Sequence, residues 1–218
     1  SKGIHVHAHL KQVGTIQDAP INLANPDMDT IKAVSSEPIA MVDAAKRKEV
    51  EDLVYKLKSD GDSTGGIVEV FATGLPVGIG NPNFDGIENR LARTAFGVPA
   101  IKGVSFGSGF EGCSSLGSLQ NDAFTMDGDV VKTTTNNSGG IQGGITNGMP
   151  LVMQVGIKPT ASIYTEQNSV SLSAKEPTKL VIKGRHDPCV ALRAVSIIEA
   201  VTALVLLDFL GEVNYELR

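Results

Sequence analysis

Gly184-Arg185-His186-Asp187-Pro188-Cys189 places a guanidinium, an imidazole and a carboxylate on consecutive residues, directly ahead of a long apolar run. If a helix starts there, Arg185, the helix dipole and the free backbone N–H groups together make an anion site suited to phosphate. Asp187 has two available roles. As an N-cap its carboxylate accepts backbone N–H bonds and stays ionised. As a functional base it faces a ligand instead. His186 can act as a general acid or a metal ligand, although a single loop histidine is commonly structural.

A second group runs Asn136-Asn137-Ser138-Gly139-Gly140-Ile141-Gln142-Gly143-Gly144-Ile145-Thr146-Asn147-Gly148. Paired glycines permit backbone geometry closed to other residues and let a planar or phosphorylated ligand approach the main chain. No Lys-Ser/Thr follows at P-loop spacing and no dinucleotide fingerprint is present. A tight reversal between strands reads the same way. The third group, Lys158-Pro159-Thr160-Ala161-Ser162, puts one cation, two hydroxyls and several N–H groups in a rigid turn after a strand. Such a turn can bind phosphate, and it can also simply end a strand. The fourth, His5, His7 and His9, shares one strand face by its period of two, a geometry open to a divalent metal. No carboxylate or cysteine lies near it in sequence, which favours an exposed polar face and no metal. A serine-hydrolase reading fails for want of a Gly-x-Ser-x-Gly elbow between strand and helix.

Positioning these groups requires regular elements. Alternation over Ile4–Leu10 predicts a strand. Residues Asn22–Glu37 are polar and proline-punctuated, and are expected to be loop with a short helical turn. Val50, Leu53, Val54 and Leu57 follow helical spacing within Ala44–Ser59, with Asp43 as N-cap and Gly61 as stop. Gly66–Thr73 reads as a buried strand. A helix fits Asp85–Phe96, ended by Gly97 and Pro99. Ile101–Phe106, Leu151–Ile157 and Leu180–Lys183 are further strands. Asp187-Pro188 predicts the start of a last helix over Cys189–Leu210. The expectation is α+β with largely antiparallel sheet and helices on its faces, and a split βαβ within Ile4–Phe106 is compatible with it. The stretch Gly107–Gly148 holds 10 of the 24 glycines and is expected to be a flexible, ligand-covering loop.

Composition bounds the rest. The 218 residues are 41% hydrophobic and 20% charged, an ordinary globular balance. With 19 Lys plus Arg against 24 Asp plus Glu the net charge is −5, a poor basis for nucleic-acid binding. The last helix is apolar enough to raise a membrane span. Arg193, Glu199 and Asp208 each cost about 2.5–3.5 kcal/mol near a bilayer centre, so burial between layers or in a subunit interface is the reading adopted. Cys113 and Cys189 are too few for a disulfide framework and form no zinc cluster; without a signal-peptide pattern, a reducing cytoplasm is expected. Ser1 leads almost at once into a strand pattern, as expected of a piece of a longer protein.

Taken together, the motifs resemble chorismate synthase, the enzyme family that closes the shikimate pathway. Arg185-His186-Asp187-Pro188-Cys189, continuing through Arg193 to Glu199, is similar to the family's C-terminal signature. Asn137 to Gly148 is similar to its glycine-rich segment. Gly61-Asp62-Ser63-Thr64-Gly65-Gly66 and Val98-Pro99-Ala100-Ile101-Lys102-Gly103 match in order. The resemblance covers nearly the whole chain but only the C-terminal portion of the family. The Gly-x-Ser-His-Gly and Ser-Gly-Arg motifs, which carry the family's two active-site histidines and most substrate-binding arginines, are absent.

The resemblance implies a β-α-β sandwich of antiparallel sheets around helices, assembled as a homotetramer. It implies reduced FMN bound beside 5-enolpyruvylshikimate 3-phosphate. The reaction is an anti-1,4 elimination that loses phosphate from C3 and hydrogen from C6 to give chorismate. Residue by residue, it implies FMN contacts from Pro99, Ala100, Gly143, Lys158, Pro159, Thr160, Ala161, Ser162 and Arg185. The local pattern by itself favours a cap at Asp187; the resemblance reverses this and implies Asp187 as the group assisting proton transfer at the flavin, a role it can combine with capping. An isolated piece lacking the histidines is expected to be inactive, and a non-catalytic flavin-binding or assembly fragment of the same fold is the alternative.

Overall fold

The computed structural model describes residues 3–216. Strand β1 (His5–Val13) forms with β2 (Ile16–Gln17), β3 (Gly66–Thr73), β4 (Ile101–Phe106) and β9 (Leu151–Ile157) a five-stranded sheet in the order β2-β1-β3-β9-β4. All four pairings are antiparallel. Between β3 and β4 runs helix α3 (Ile87–Phe96), and β9 is inserted between the two strands, which gives the split βαβ that the sequence allows.

Alternation along the strands sorts the side chains onto two faces. Ala8 and Leu10, Val68, Val70 and Ala72, and Leu151, Met153 and Val155 form one apolar face. Against it pack α3, α2 (Ala44–Asp60) and α6 (Ala191–Glu216). On α3 the buried residues are Ile87, Leu91 and Ala95, spaced one turn apart as an amphipathic helix requires. Phe71 and Val152 on the opposite face meet Ile31 of α1 (Met28–Ser35).

Local signals placed α2 well. Asp43 accepts N–H bonds from Ala45 and Lys46, and Gly61 takes the left-handed φ of 71° while its N–H bonds Leu57 O. Elsewhere the structure corrects the sequence. In the expected loop Asn22–Glu37, Asp27 caps an eight-residue helix, α1, through Thr30. Only Ile31 and Val34 are buried there, too few to display a period. The helix expected from Asp85 starts at Ile87, after a 3-10 turn over Asn83–Asp85. The strand expected at Leu180–Lys183 ends at Leu180. It is β11 (Glu176–Leu180), which pairs with β10 (Gln167–Ser171) as an exposed hairpin.

The last helix starts at Ala191 rather than Cys189, so Pro188 does not occupy its first turn. The carbonyl of Pro188 accepts the N–H of Thr64 at 2.8 Å and is thereby taken from the helix ladder. By length and composition α6 could cross a membrane: Ala191–Gly211 has a mean hydropathy of 2.0. One face is nevertheless packed on the core through Val195, Ile198, Val205, Leu206 and Phe209. The charges within Ala191–Gly211 are engaged: Arg193 with Asp187, Glu199 with the N–H of Ala8, and Asp208 with Arg90.

Gly107–Gly148 is built from short pieces: α4 (Gly109–Gly112), α5 (Gly117–Gln120), and the hairpins of β5 (Phe124–Asp127) with β6 (Val130–Thr133) and β7 (Ile141–Gln142) with β8 (Ile145–Thr146). Asp122 organises them, accepting the N–H groups of Asn137 and Ser138 and the hydroxyl of Thr135 at 2.7–2.9 Å. Burial opposes its charge, but these bonds hold its carboxyl below the usual range.

Candidate functional site

Two of the singled-out segments adjoin the same end of the sheet, where Gly66 pairs with Ile157 and Ile157 with Ile101, and a third is tied to it through Pro188. Pro99-Ala100 enters β4 and Lys158–Ser162 leaves β9. Ala100 sits at φ 73°, a left-handed conformation that a residue with a Cβ adopts at a cost, and its carbonyl accepts the Lys158 N–H at 3.0 Å.

Asp62–Gly65, the segment entering β3, joins these turns to the third. Ser63 Oγ donates to Thr160 O at 2.7 Å, and the Thr64 N–H donates to Pro188 O. Gly65 is required by contact: a Cβ there would lie 2.2 Å from Ile157 O. In sequence this glycine-rich run stands out by its family likeness. Its physical signal is the pair Gly65-Gly66 directly before a buried strand, which marks a close backbone approach.

Arg185 and Asp187 follow the β10–β11 hairpin. Lys158 and Arg185 are both exposed, and among the described residues neither enters an ion pair. Asp187 Oδ1 accepts the N–H of Cys189 at 3.1 Å, which makes it a turn cap rather than the cap of α6. Oδ2 lies 3.1 Å from Arg193 Nε, yet this buried atom makes no hydrogen bond of acceptable geometry. Burial pushes the neighbouring Cys189 thiol up, opposed by the N–H groups of Ala191 and Leu192. A cavity of about 1040 Å³ opens here between α2, α6 and the Ser35–Ile39 segment, with Arg185, His186 and Asp187 in its wall.

Gly143 is not brought to this end. It forms the exposed tip of the β7–β8 hairpin, and the neighbouring Gly144 carbonyl accepts the N–H of Ile87 at the start of α3. Pro99 lies beyond the other end of that ten-residue helix, about 15 Å long at 1.5 Å per residue.

The histidine strand also needs correction. No carboxylate is near it in sequence, but the fold supplies two. His9 is buried, with Nδ1 3.2 Å from Asp18 and Nε2 3.1 Å from Glu69. Glu69 further accepts from Lys11 and Gln154. Burial alone would lower the His9 pKa; the bonds to Asp18 and Glu69 outweigh it and raise it. The result is an imidazole whose charged form is favoured by two carboxylates, and no metal-binding group of His, Cys, Asp or Glu is found among the described residues.

Known proteins resemble this arrangement. The chorismate synthase family model matches residues 1–210. A chorismate synthase of Synechococcus sp. is 47% identical over 208 residues, covering 94% of this chain and 56% of the relative. One of Dehalococcoides mccartyi is 45% identical over 180 residues, covering 83% of this chain and 50% of the relative. A crystal structure of chorismate synthase superposes with a TM-score of 0.79 at 28% identity, covering 96% of this chain and 57% of that one. The chain thus spans about half the length of the curated relatives it matches. With a family match over nearly all its residues and the same fold in a solved member, the chain belongs to the chorismate synthase family.

Proposed function

We propose that this chain supplies much of the flavin seat of a chorismate synthase. The activity is the FMN-dependent anti-1,4 elimination of phosphate from 5-enolpyruvylshikimate 3-phosphate, a carbon–oxygen lyase reaction giving chorismate. The observation that carries the reading is the meeting of Pro99-Ala100, Lys158–Ser162 and Arg185–Asp187 around Asp62–Gly65 at one end of the sheet. The donor set suits a phosphorylated ligand: two cations without an ion pair among the described residues, Lys158 and Arg185, with the hydroxyls of Thr160 and Ser162 on the Lys158 turn. Pro99, Ala100, Pro159 and Ala161 would contact the ligand as the family likeness implies. Gly143 belongs to the proposed set through the family likeness alone.

Reduced FMN, when bound, supplies transient electron donation with no net redox change. The protein's share is positioning and electrostatics. Lys158 and Arg185 would hold the anionic end, and Asp187 Oδ2, buried and facing Arg193 Nε at 3.1 Å without a well-aligned hydrogen bond, is the atom offered to hold or pass a proton beside the flavin. In this reading the whole protein is a cytoplasmic homotetramer that binds neither nucleic acid nor membrane.

Titration of the chain with reduced FMN, with and without substrate and followed by flavin absorbance, tests the seat. Saturable binding by the chain is expected, with no chorismate formed by residues 1–218 alone. Absence of any flavin perturbation removes the reading. Because the chain covers about half of its relatives, a flavin-binding or assembly fragment without turnover is the second reading, and chorismate formation by the protein with any further residues its gene encodes would exclude it.

A further inference from the structure

Between the two segments that carry Lys158 and Arg185 lies the β10–β11 hairpin, and one side chain closes its base. The Tyr164 hydroxyl donates to the carbonyl of Gly184, the residue before Arg185. The Tyr164 ring meets the His186 ring edge-on, with centroids 4.8 Å apart and planes at 66°. His186 is fixed from its other side, with Nε2 2.9 Å from Ile182 O. Tyr164 itself is anchored: its N–H and that of Thr165 both donate to Gly61 O, at 2.9 and 3.2 Å, at the end of α2. Gly61 leaves the necessary room, since a Cβ there would stand 2.8 Å from Tyr164 Cβ. Ser162, two residues earlier, belongs to the cationic turn.

We infer that Tyr164 is a positioning residue, a clasp that sets Arg185 and Asp187 against the Lys158–Ser162 turn. The inference rests on the flavin reading above and adds to it a residue that contacts no ligand. The reasoning is geometric. Arg185 is exposed, follows an exposed hairpin and, among the described residues, has no ion pair. Apart from the clasp, its segment is tied to the turn through the Pro188 O–Thr64 N–H bond on its far side and, across the hairpin base, through Gln167 Nε2 donating to Ala161 O at 3.4 Å. Tyr164 removes that freedom before the anion arrives, so the ordering cost is met during folding rather than on binding. The ring contact with His186 extends the hold to the residue next to Asp187.

The test is a double-mutant cycle in the protein with any further residues its gene encodes, read as FMN dissociation constants. Tyr164→Phe keeps the ring on His186 and removes only the hydroxyl. It is expected to weaken FMN roughly threefold to tenfold, the range of one net hydrogen bond, with the thermal midpoint within about 2 °C of wild type. On an Arg185→Ala background the same change is expected to cost less than about twofold, because the group it positions is gone. A residue that merely stabilises the hairpin gives equal factors on both backgrounds. Unaltered affinity in Tyr164→Phe, or equal factors, overturns the clasp while leaving the flavin seat intact. Failure of the wild-type protein to bind FMN, or full affinity in Arg185→Ala, overturns the seat at Arg185 and the clasp with it.

Discussion

Ser63 Oγ and the carbonyl of Thr160 are 2.7 Å apart, although 97 residues separate them in sequence. This bond ties the segment entering β3 to the turn leaving β9, and through Thr64 the same segment holds Pro188. Ser63→Ala removes one half-buried hydrogen bond. A loss of about 0.5–1.5 kcal/mol in urea unfolding is expected. The Thr160 turn loses its tether as well, so FMN affinity is expected to fall roughly twofold to tenfold. Wild-type values in both measurements would mean that Thr160 is placed by its own strand and not by Ser63.

Asp187 has one oxygen spent on the Cys189 N–H and one buried oxygen without a hydrogen bond. Asp187→Asn keeps an acceptor for Cys189 and removes the proton-accepting carboxylate. In the complete enzyme, turnover is expected to drop roughly 100-fold or more, as for loss of a general acid–base group, while FMN still binds. Stopped-flow chorismate formation and flavin titration on one preparation separate the two effects. Near-normal turnover removes Asp187 from the proton path and leaves it a turn cap.

What the sequence showed and what it hid follow from the range of each interaction. Asp43 and Gly61 act on their own helix, and both were legible as its ends. Strands Gly66–Thr73 and Leu151–Ile157 coincide with their apolar runs because strands on both sides and a packed face bury them, while Ile101–Phe106, at the sheet edge, is half-buried and coincides with its run all the same. The start of α6 was misplaced because the competing partner of Pro188 O is Thr64, 124 positions away. The partners of His9 were hidden for the same reason: Glu69 reaches it only through the register of β1 on β3. Lys158, Arg185 and Asp187 were readable by type, whereas Ser63, although inside the Gly61–Gly66 likeness, and Tyr164 act through tertiary bonds that residue type and spacing do not show.

Lys158 and Gly143 make a paired contrast. Lys158 has no ion pair among the described residues and lies in the turn that meets Ala100, and Lys158→Ala is expected to weaken FMN roughly tenfold to hundredfold, the loss of one charge-assisted bond. Gly143 stands at the other end of α3 with open space where a Cβ would go. Its φ of 62° makes Gly143→Ala cost about 1 kcal/mol in stability, and FMN affinity is expected to stay within about twofold of wild type, well short of a lost bond. If Gly143→Ala matches Lys158→Ala in affinity loss, the flavin seat extends along α3 or is shared between copies.

His9 gives the fold a pH signature independent of any ligand. Its pKa is raised above the ordinary 6.5 because Asp18 and Glu69 outweigh burial. A raised basic group stabilises fully below its unfolded value and loses that contribution as pH climbs through the folded one. Asp18 and Glu69 are lowered from 3.8 and 4.5: for each, burial opposes the shift and the bond to His9 carries it, with backbone N–H groups helping Asp18 and Lys11 helping Glu69. Their contribution is present above those values and is lost as pH falls through the folded ones. The network is therefore at full strength between about pH 4.5 and 6.5. The urea midpoint is expected to be lower at about pH 8.5 than at about pH 6. In His9→Ala the two carboxylates lose the charge between them, with an expected cost of about 3–5 kcal/mol at pH 6, and the alkaline decline vanishes. Persistence of the same slope between pH 6 and 8.5 in His9→Ala would assign it to another group and leave the triad a neutral hydrogen-bonded pair with one proton shared.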